Sequence, residues 1–224
     1  MRAAYPGSLV GVTSGQGLRI GFVPGVTLTK WRRIWGERFR APLEVLEVAE
    51  SDQRRAVVDG AVDMCFARLP IDRDGLHLIP LYDEQPVLWL SKDHILAALD
   101  EVTAEDLAED GTRVLTDASA ESIDLATYSA AVLRVPMSIA RSGSRKDMTY
   151  LPVVDAEPTT VGLAWLVDNE HPLIEDFIGV VRGRTVNSTR TAQARGEQPK
   201  VERPTEKAKA RRAQGSRQGR GRRR

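Results

Sequence analysis

The sequence predicts an α/β fold, and three observations carry that prediction. Strand-like apolar runs alternate with amphipathic segments from residue 18 to 184, and such alternation builds a mostly parallel sheet with helices on both faces. The chain has 224 residues, enough for one sizeable core or two small lobes. Its charge is segregated: residues 185–224 hold 13 Lys+Arg against 3 Asp+Glu, and residues 1–184 hold 19 against 28. An acidic body therefore precedes a basic tail, and the formal net charge of +1 conceals both.

Taken in order, residues 1–17 read as a flexible lead-in rich in Gly, Ser and Thr. "LRIGFV" (18–23) is a strand and "PG" (24–25) turns the chain. Leu28, Trp31, Trp35 and Phe39 recur at helical spacing with Lys30, Arg32, Arg33 and Glu37 between them, which predicts an amphipathic helix over 28–40 with Thr27 as its cap. "LEVLEV" (43–48) is the next strand. "SDQRRAVVDG" (51–60) reads as a short helix opened by Ser51 and closed by Gly60. "AVDMCFARL" (61–69) is a strand. "LHLIPLYDEQPVLWLSKDH" holds two strand-like runs separated by "YDEQ".

"TAEDLAE" (103–109) is a capped helix with Asp106 three residues after Thr103. "TRVLT" (112–116) is a strand, "SIDLATYSA" (122–130) a helix, "AVLRVP" (131–136) a strand, and "MSIAR" begins another helix. "TYLPVV" (149–154) and "TTVGLAWLV" (159–167) are strands, and "HPLIEDFIGVVRGR" (171–184) is a closing amphipathic helix. Residues 185–224 contain no aromatic residue and only two large aliphatic ones, Val186 and Val201. Such a segment buries too little surface to offset its ordering entropy and is expected to be disordered.

Several function classes are disfavoured. One cysteine, Cys65, permits neither an internal disulfide nor a CxxC site; it reads as a buried, inert thiol. No run of 18 uninterrupted apolar residues occurs and the N-terminus has no secretory pattern, so a soluble cytoplasmic protein is expected. The glycines of "RIGFVPG" are spaced G-x-x-x-G, which fits neither a Walker loop nor a dinucleotide fingerprint. The three histidines, His77, His94 and His171, show no ligand spacing, and His94 in "KDH" reads as a solvated loop residue. With no nucleophile elbow and no metal-ligand pair, neither an enzyme nor a cofactor is expected.

The order of these segments resembles the LysR-type effector-binding (substrate-binding) domain. "LRIGFVPGVTLTKW" is similar to its opening strand and helix, and "VVDGAVDMCFARLP" to its helix, Gly and Asp-apolar-Arg-Leu-Pro strand. "GLHLIPLYDEQPVLWLSKDH", "VTAEDLAE", "AAVLRVPMSIAR" and "TVGLAWLVDNEHPLIEDFIGVVRG" follow in the family's order, so the resemblance covers about 18–184. It implies a periplasmic-binding-protein-like fold of two α/β lobes. Lobe I would be about 18–89 and 161–184, lobe II about 90–160, with crossovers near "LWLS" and "VGLAW". It also implies a small-molecule effector between the lobes and a homodimer through lobe I. Three features depart from the pattern. The first 17 residues do not provide the family's winged helix-turn-helix, lobe II is short, and the basic tail is foreign to it.

The candidate effector-binding residues are Gly25, Val26 and Thr27 at the first strand-to-helix junction, Arg68 at a strand end, and Met137 and Ser138 at the second junction. Ligands in open α/β sheets gather outside the carboxyl ends of strands. Thr27 and Ser138 either cap their helices or turn hydroxyls toward a carboxylate at the helix N-terminus. Arg68 either clamps an acid or makes a structural ion pair. In the tail, Lys207, Lys209, Arg211, Arg212, Arg217, Arg220, Arg222, Arg223 and Arg224 are candidates for salt-dependent contact with DNA or RNA phosphates. The alternative is a solvating tail, or one that folds back on the acidic body.

Overall fold

The protein is seen in a computed structural model, and the residues it describes are 17–184. The expectations for the lead-in before residue 17 and for the basic tail from 185 onward lie outside the described residues. In chain order the elements are β1 (Leu18–Phe22), α1 (Thr29–Arg38), β2 (Leu43–Glu47), α2 (Gln53–Val58), β3 (Met64–Arg68), β4 (Leu76–Glu84) and β5 (Pro86–Ser91). There follow α3 (Ala104–Asp110), β6 (Val114–Leu115), α4 (Ala120–Thr127), β7 (Val132–Pro136), α5 (Met137–Ser142), β8 (Met148–Pro152), β9 (Thr159–Leu166) and α6 (Ile174–Val181).

The strands form two sheets, ordered β2-β1-β3-β9-β4 and β6-β7-β5-β8. Each is covered on both faces, because its central strands alternate between two apolar sets. In lobe I, Met64, Phe66 and Leu163 face α1 and α6, where Trp35, Phe177 and Ile178 complete the core. Cys65, Ala67 and Ala164 face Val57 of α2 on the other side. In lobe II, Leu88, Leu90 and Val132 pack with Leu107 of α3, and Val87, Trp89 and Leu133 pack with Ala126 of α4 and Ala140 of α5.

The expected mostly parallel sheet is corrected to two mixed sheets. β1 pairs in parallel with β2 and β3, and β6 with β7, but β9 is antiparallel to both β3 and β4, and β5 to both β7 and β8. The reason lies in the connections. β9 is not delivered by a local β-α-β crossover from β3 or β4: it returns from the second sheet after β8 and inserts between them, running against both.

The crossovers also shift from "LWLS" and "VGLAW". β5 lies wholly in the second sheet and is buried along its whole length, because its apolar run sits between two neighbours, β7 and β8. The chain therefore leaves lobe I at Gln85 and returns through residues 153–158. The two crossovers are bonded to each other: Gln85 Nε2 donates to the Val153 carbonyl (3.2 Å) and Val153 N to the Pro86 carbonyl (3.0 Å).

Three caps differ from expectation. Leu28, not Thr27, occupies the position before α1, and no side chain caps it. Glu50–Asp52 form a 3₁₀ turn ahead of α2, so Ser51 is not a helix cap. Pro136 precedes α5, which places Ser138 second in that helix. The Thr103–Asp106 capping box is present, with Gly111 left-handed at the far end of α3. His94 is buried rather than solvated. Its Nδ1 accepts the Leu96 N–H and caps the turn Ile95–Ala98, and its Nε2 lies 3.2 Å from Thr112 Oγ1. Among the described residues, no helix is long and apolar enough to cross a membrane.

Candidate functional site

After β1 the chain must leave the sheet and enter α1, and residues 23–28 do this in alternate steps. Val23, Val26 and Leu28 are buried in the lobe I core, so the residues between them are pushed outward. Gly25 has φ +88°, a left-handed conformation that glycine adopts without strain. Thr27 is exposed at the rim. In lobe II the change is abrupt, with β7 ending at Pro136 and α5 beginning at Met137. The Met137 N–H is held by the Gln85 carbonyl at 2.9 Å, which ties α5 to the crossover.

The two junctions face one another across a cleft of about 500 Å³. Gly25 and Thr27 line it from lobe I, and Met137 and Ser138 from lobe II. At Gly25 the lobes touch: a Cβ placed there would lie 2.6 Å from Ser138 Oγ and 3.0 Å from Ile139 N. Ser138 Oγ is itself buried and has no hydrogen-bond partner among the described residues, although buried hydroxyls ordinarily find one.

Val26 and Arg68 are placed elsewhere. Val26 is a core side chain. Arg68 is 2% exposed and its guanidinium is engaged through all three nitrogens. Nε and Nη2 donate to Glu84 Oε2 (3.0 and 2.9 Å), Nη1 to Glu50 Oε2 (2.7 Å), and Nη2 also to the Pro24 carbonyl (3.1 Å). Its backbone is held as tightly by Gln53, whose side-chain amide bonds both the Arg68 N–H and carbonyl at 2.8 Å. Of the two readings of Arg68, the structure displays the ion pair. A guanidinium so enclosed positions the Pro24–Gly25 turn against the end of β4.

The remaining lining comes from residues that the sequence reading passed over: Tyr82, Asp83, Glu84, Gln85, Arg141 and Ser142. Burial pushes the Tyr82 phenol up to about 12, with the Glu84 carboxylate adding to the rise and Arg68 opposing it. It is therefore a neutral donor and acceptor at physiological pH. Asp83 is exposed and accepts from Thr160 Oγ1 at 2.6 Å. Arg141 is exposed, with Nε donating to the Tyr150 hydroxyl at 3.2 Å. The available signal was position: "YDEQ" stands at the carboxyl end of a strand, where such folds gather ligands.

Two α/β lobes, joined by two bonded crossovers and separated by a polar cleft, define a bilobal binding-protein architecture. The family model described as LysR substrate binding domain matches residues 16–120, and the described body has the fold of LysR effector-binding domains. Among solved structures, a mutant OxyR regulatory domain from Pseudomonas aeruginosa superposes with a TM-score of 0.61 at 20% identity, covering 75% of this chain and 97% of that one. The BenM effector binding domain with its effector benzoate gives a TM-score of 0.61 at 18% identity, covering 84% and 96%. A probable hydrogen peroxide-inducible genes activator of Mycobacterium avium is 34% identical over 97 residues, or 42% of this chain and 31% of that protein. Its counterpart in Mycobacterium leprae (strain TN) is 32% identical over the same length. The chain thus spans about a third of the length of the curated relatives it matches.

Proposed function

We propose that this chain is the effector-sensing module of a LysR-type transcriptional regulator, and that its effector is a small metabolite bearing an acid group. The observation that carries this reading is the convergence of Gly25, Thr27, Met137 and Ser138 from opposite lobes on one cleft, with a buried hydroxyl left for a ligand to satisfy. Arg141 supplies a cation for the acid. Signalling requires that the effector favour one lobe arrangement over another. The bonded crossovers at Gln85 and Val153 are where that preference would be read out. Association of two copies through lobe I, as the family resemblance implies, belongs to the same proposal.

Peroxide response, which the names of the mycobacterial relatives state for those proteins, gains no support from the thiol chemistry. Cys65 is the single cysteine and is buried. Burial pushes its pKa up to about 12, so the reactive thiolate is scarce at neutral pH. Isothermal titration of the protein with a panel of small carboxylic acids, benzoate and the standard amino acids among them, tests the sensing reading. Saturable binding weakened by a Thr27→Ala, Ser138→Ala double substitution is expected, and no binding across the panel removes it.

The charge of the tail favours a second reading, in which residues 185–224 contact DNA or RNA non-specifically through the Lys and Arg cluster from Lys207 to Arg224. Gel shifts at two salt concentrations, with and without the tail, separate the two. Tail-dependent, salt-sensitive retardation unaffected by any ligand favours the second.

A further inference from the structure

We infer that the cleft takes a zwitterion, an α-amino acid or a molecule of the same charge pattern, held by Arg141 of lobe II at its carboxylate and by Asp83 of lobe I at its ammonium. This inference rests on the effector-binding reading above and narrows the ligand class. The two walls are oppositely charged. On the lobe II wall, formed by Met137, Ser138, Arg141 and Ser142, Arg141 is the one ionised group. The lobe I wall presents Asp83 and Glu84.

Glu84 does not call for a ligand cation of its own, because Arg68 donates twice to its Oε2. Arg68 also bonds Glu50, so the trio of Arg68, Glu84 and Glu50 retains one net negative charge behind the wall. Asp83 adds a second in front of it, and its bond from Thr160 Oγ1 is a neutral donor that leaves the charge in place. A plain acid would satisfy Arg141 while facing two surplus negative charges, and like charges so placed repel. A plain amine would leave Arg141 opposed. A zwitterion complements both walls, and because Arg141 and Asp83 stand on different lobes it draws the lobes together. Tyr82, Gln85 and Ser138 supply neutral hydrogen-bonding groups between them.

The test titrates the whole protein calorimetrically with each of the twenty standard L-amino acids. Any that binds is compared with the matching acid lacking the amine and the matching amine lacking the acid. At least one amino acid is expected to bind, with both truncated analogues about 10- to 100-fold weaker. Asp83→Asn is expected to weaken the amino acid about 10- to 100-fold and to bind the acid without an amine as well as the parent or better, because one repelling charge is gone. Arg141→Gln is expected to weaken the amino acid and to bind the amine without an acid as well as the parent or better, because the opposing cation is gone. Equal affinity for either truncated analogue, or both substitutions leaving affinity within about twofold, overturns the zwitterion while the effector reading stands. Failure of all twenty also overturns it. In that event binding of benzoate or another plain acid preserves the effector reading, and no binding of any acid removes both.

Discussion

The two walls of the cleft look alike in sequence and are built differently. At "VPGVTLTKW" a loop leaves the sheet, buries Val26 and Leu28, and reaches α1 only at Thr29. At "VLRVPMSIAR" the strand passes directly into α5. A loop wall has no internal ladder to hold it, so its position depends on outside groups, above all the Arg68 guanidinium on the Pro24 carbonyl. The helical wall carries its own hydrogen bonds and needs one tether, the Gln85 carbonyl on Met137 N–H. The lesson is that the lobe I wall stores its precision in a buried ion pair some forty residues away, whereas the lobe II wall stores it locally.

The largest test of this contrast is Arg68→Met. It leaves Glu84 buried without its partner and is expected to cost about 3–5 kcal/mol in urea unfolding. Adding Glu84→Leu should recover most of that loss, because both charges are then gone. Failure of the double variant to recover would mean that the bond to Pro24, not the pair, is what the fold needs. Gly25→Ala comes next. It forces a side chain into a left-handed backbone and against Ser138, and is expected to cost about 1–3 kcal/mol. Ser138→Gly in the same chain should return part of that, a coupling measurable by a double-mutant cycle.

Smaller effects separate caps from cleft residues. Thr103→Ala removes a capping box and should cost about 1 kcal/mol. Thr27→Ala, at an exposed residue that caps nothing, should stay within about 0.5 kcal/mol. Thermal melts of the two decide this. Asp117 gives the smallest effect. Bonds from Ser119 and Ser122 hold its carboxyl down at about 2, against an ordinary value of 3.8. Its contribution is therefore complete above the ordinary value and is lost as pH falls through about 2. The gap between the parent and Asp117→Ala, slight for an exposed group, should close over that span in acid unfolding curves.

Most elements were legible because periodicity and burial agree. The Trp31 and Trp35 stripe, the Thr103–Asp106 box and the apolar strands around Cys65 and Leu163 all lie where pattern places them. Strand direction was not legible. β9 pairs with β3 and β4 across some ninety residues, and no local pattern records such a partner. The cleft was half legible for a related reason. Thr27 and Ser138 stand beside turns that the sequence marks, whereas Asp83, Gln85 and Arg141 are ordinary polar residues until the fold sets them opposite one another. Arg68 shows the limit most clearly, since its role turns on Glu84 and Glu50, which are near only in space.

Cys65 has a consequence of another kind. A protein whose only thiol is sealed in a sheet core, with its ionisation driven up to about 12, is expected to react slowly with maleimides. A cysteine introduced at an exposed position, Tyr128 in lobe II or Arg33 in lobe I, can then carry a fluorophore at one chosen place. A pair of such labels would report the separation of the lobes as a distance, in solution and in real time, without first removing a native residue.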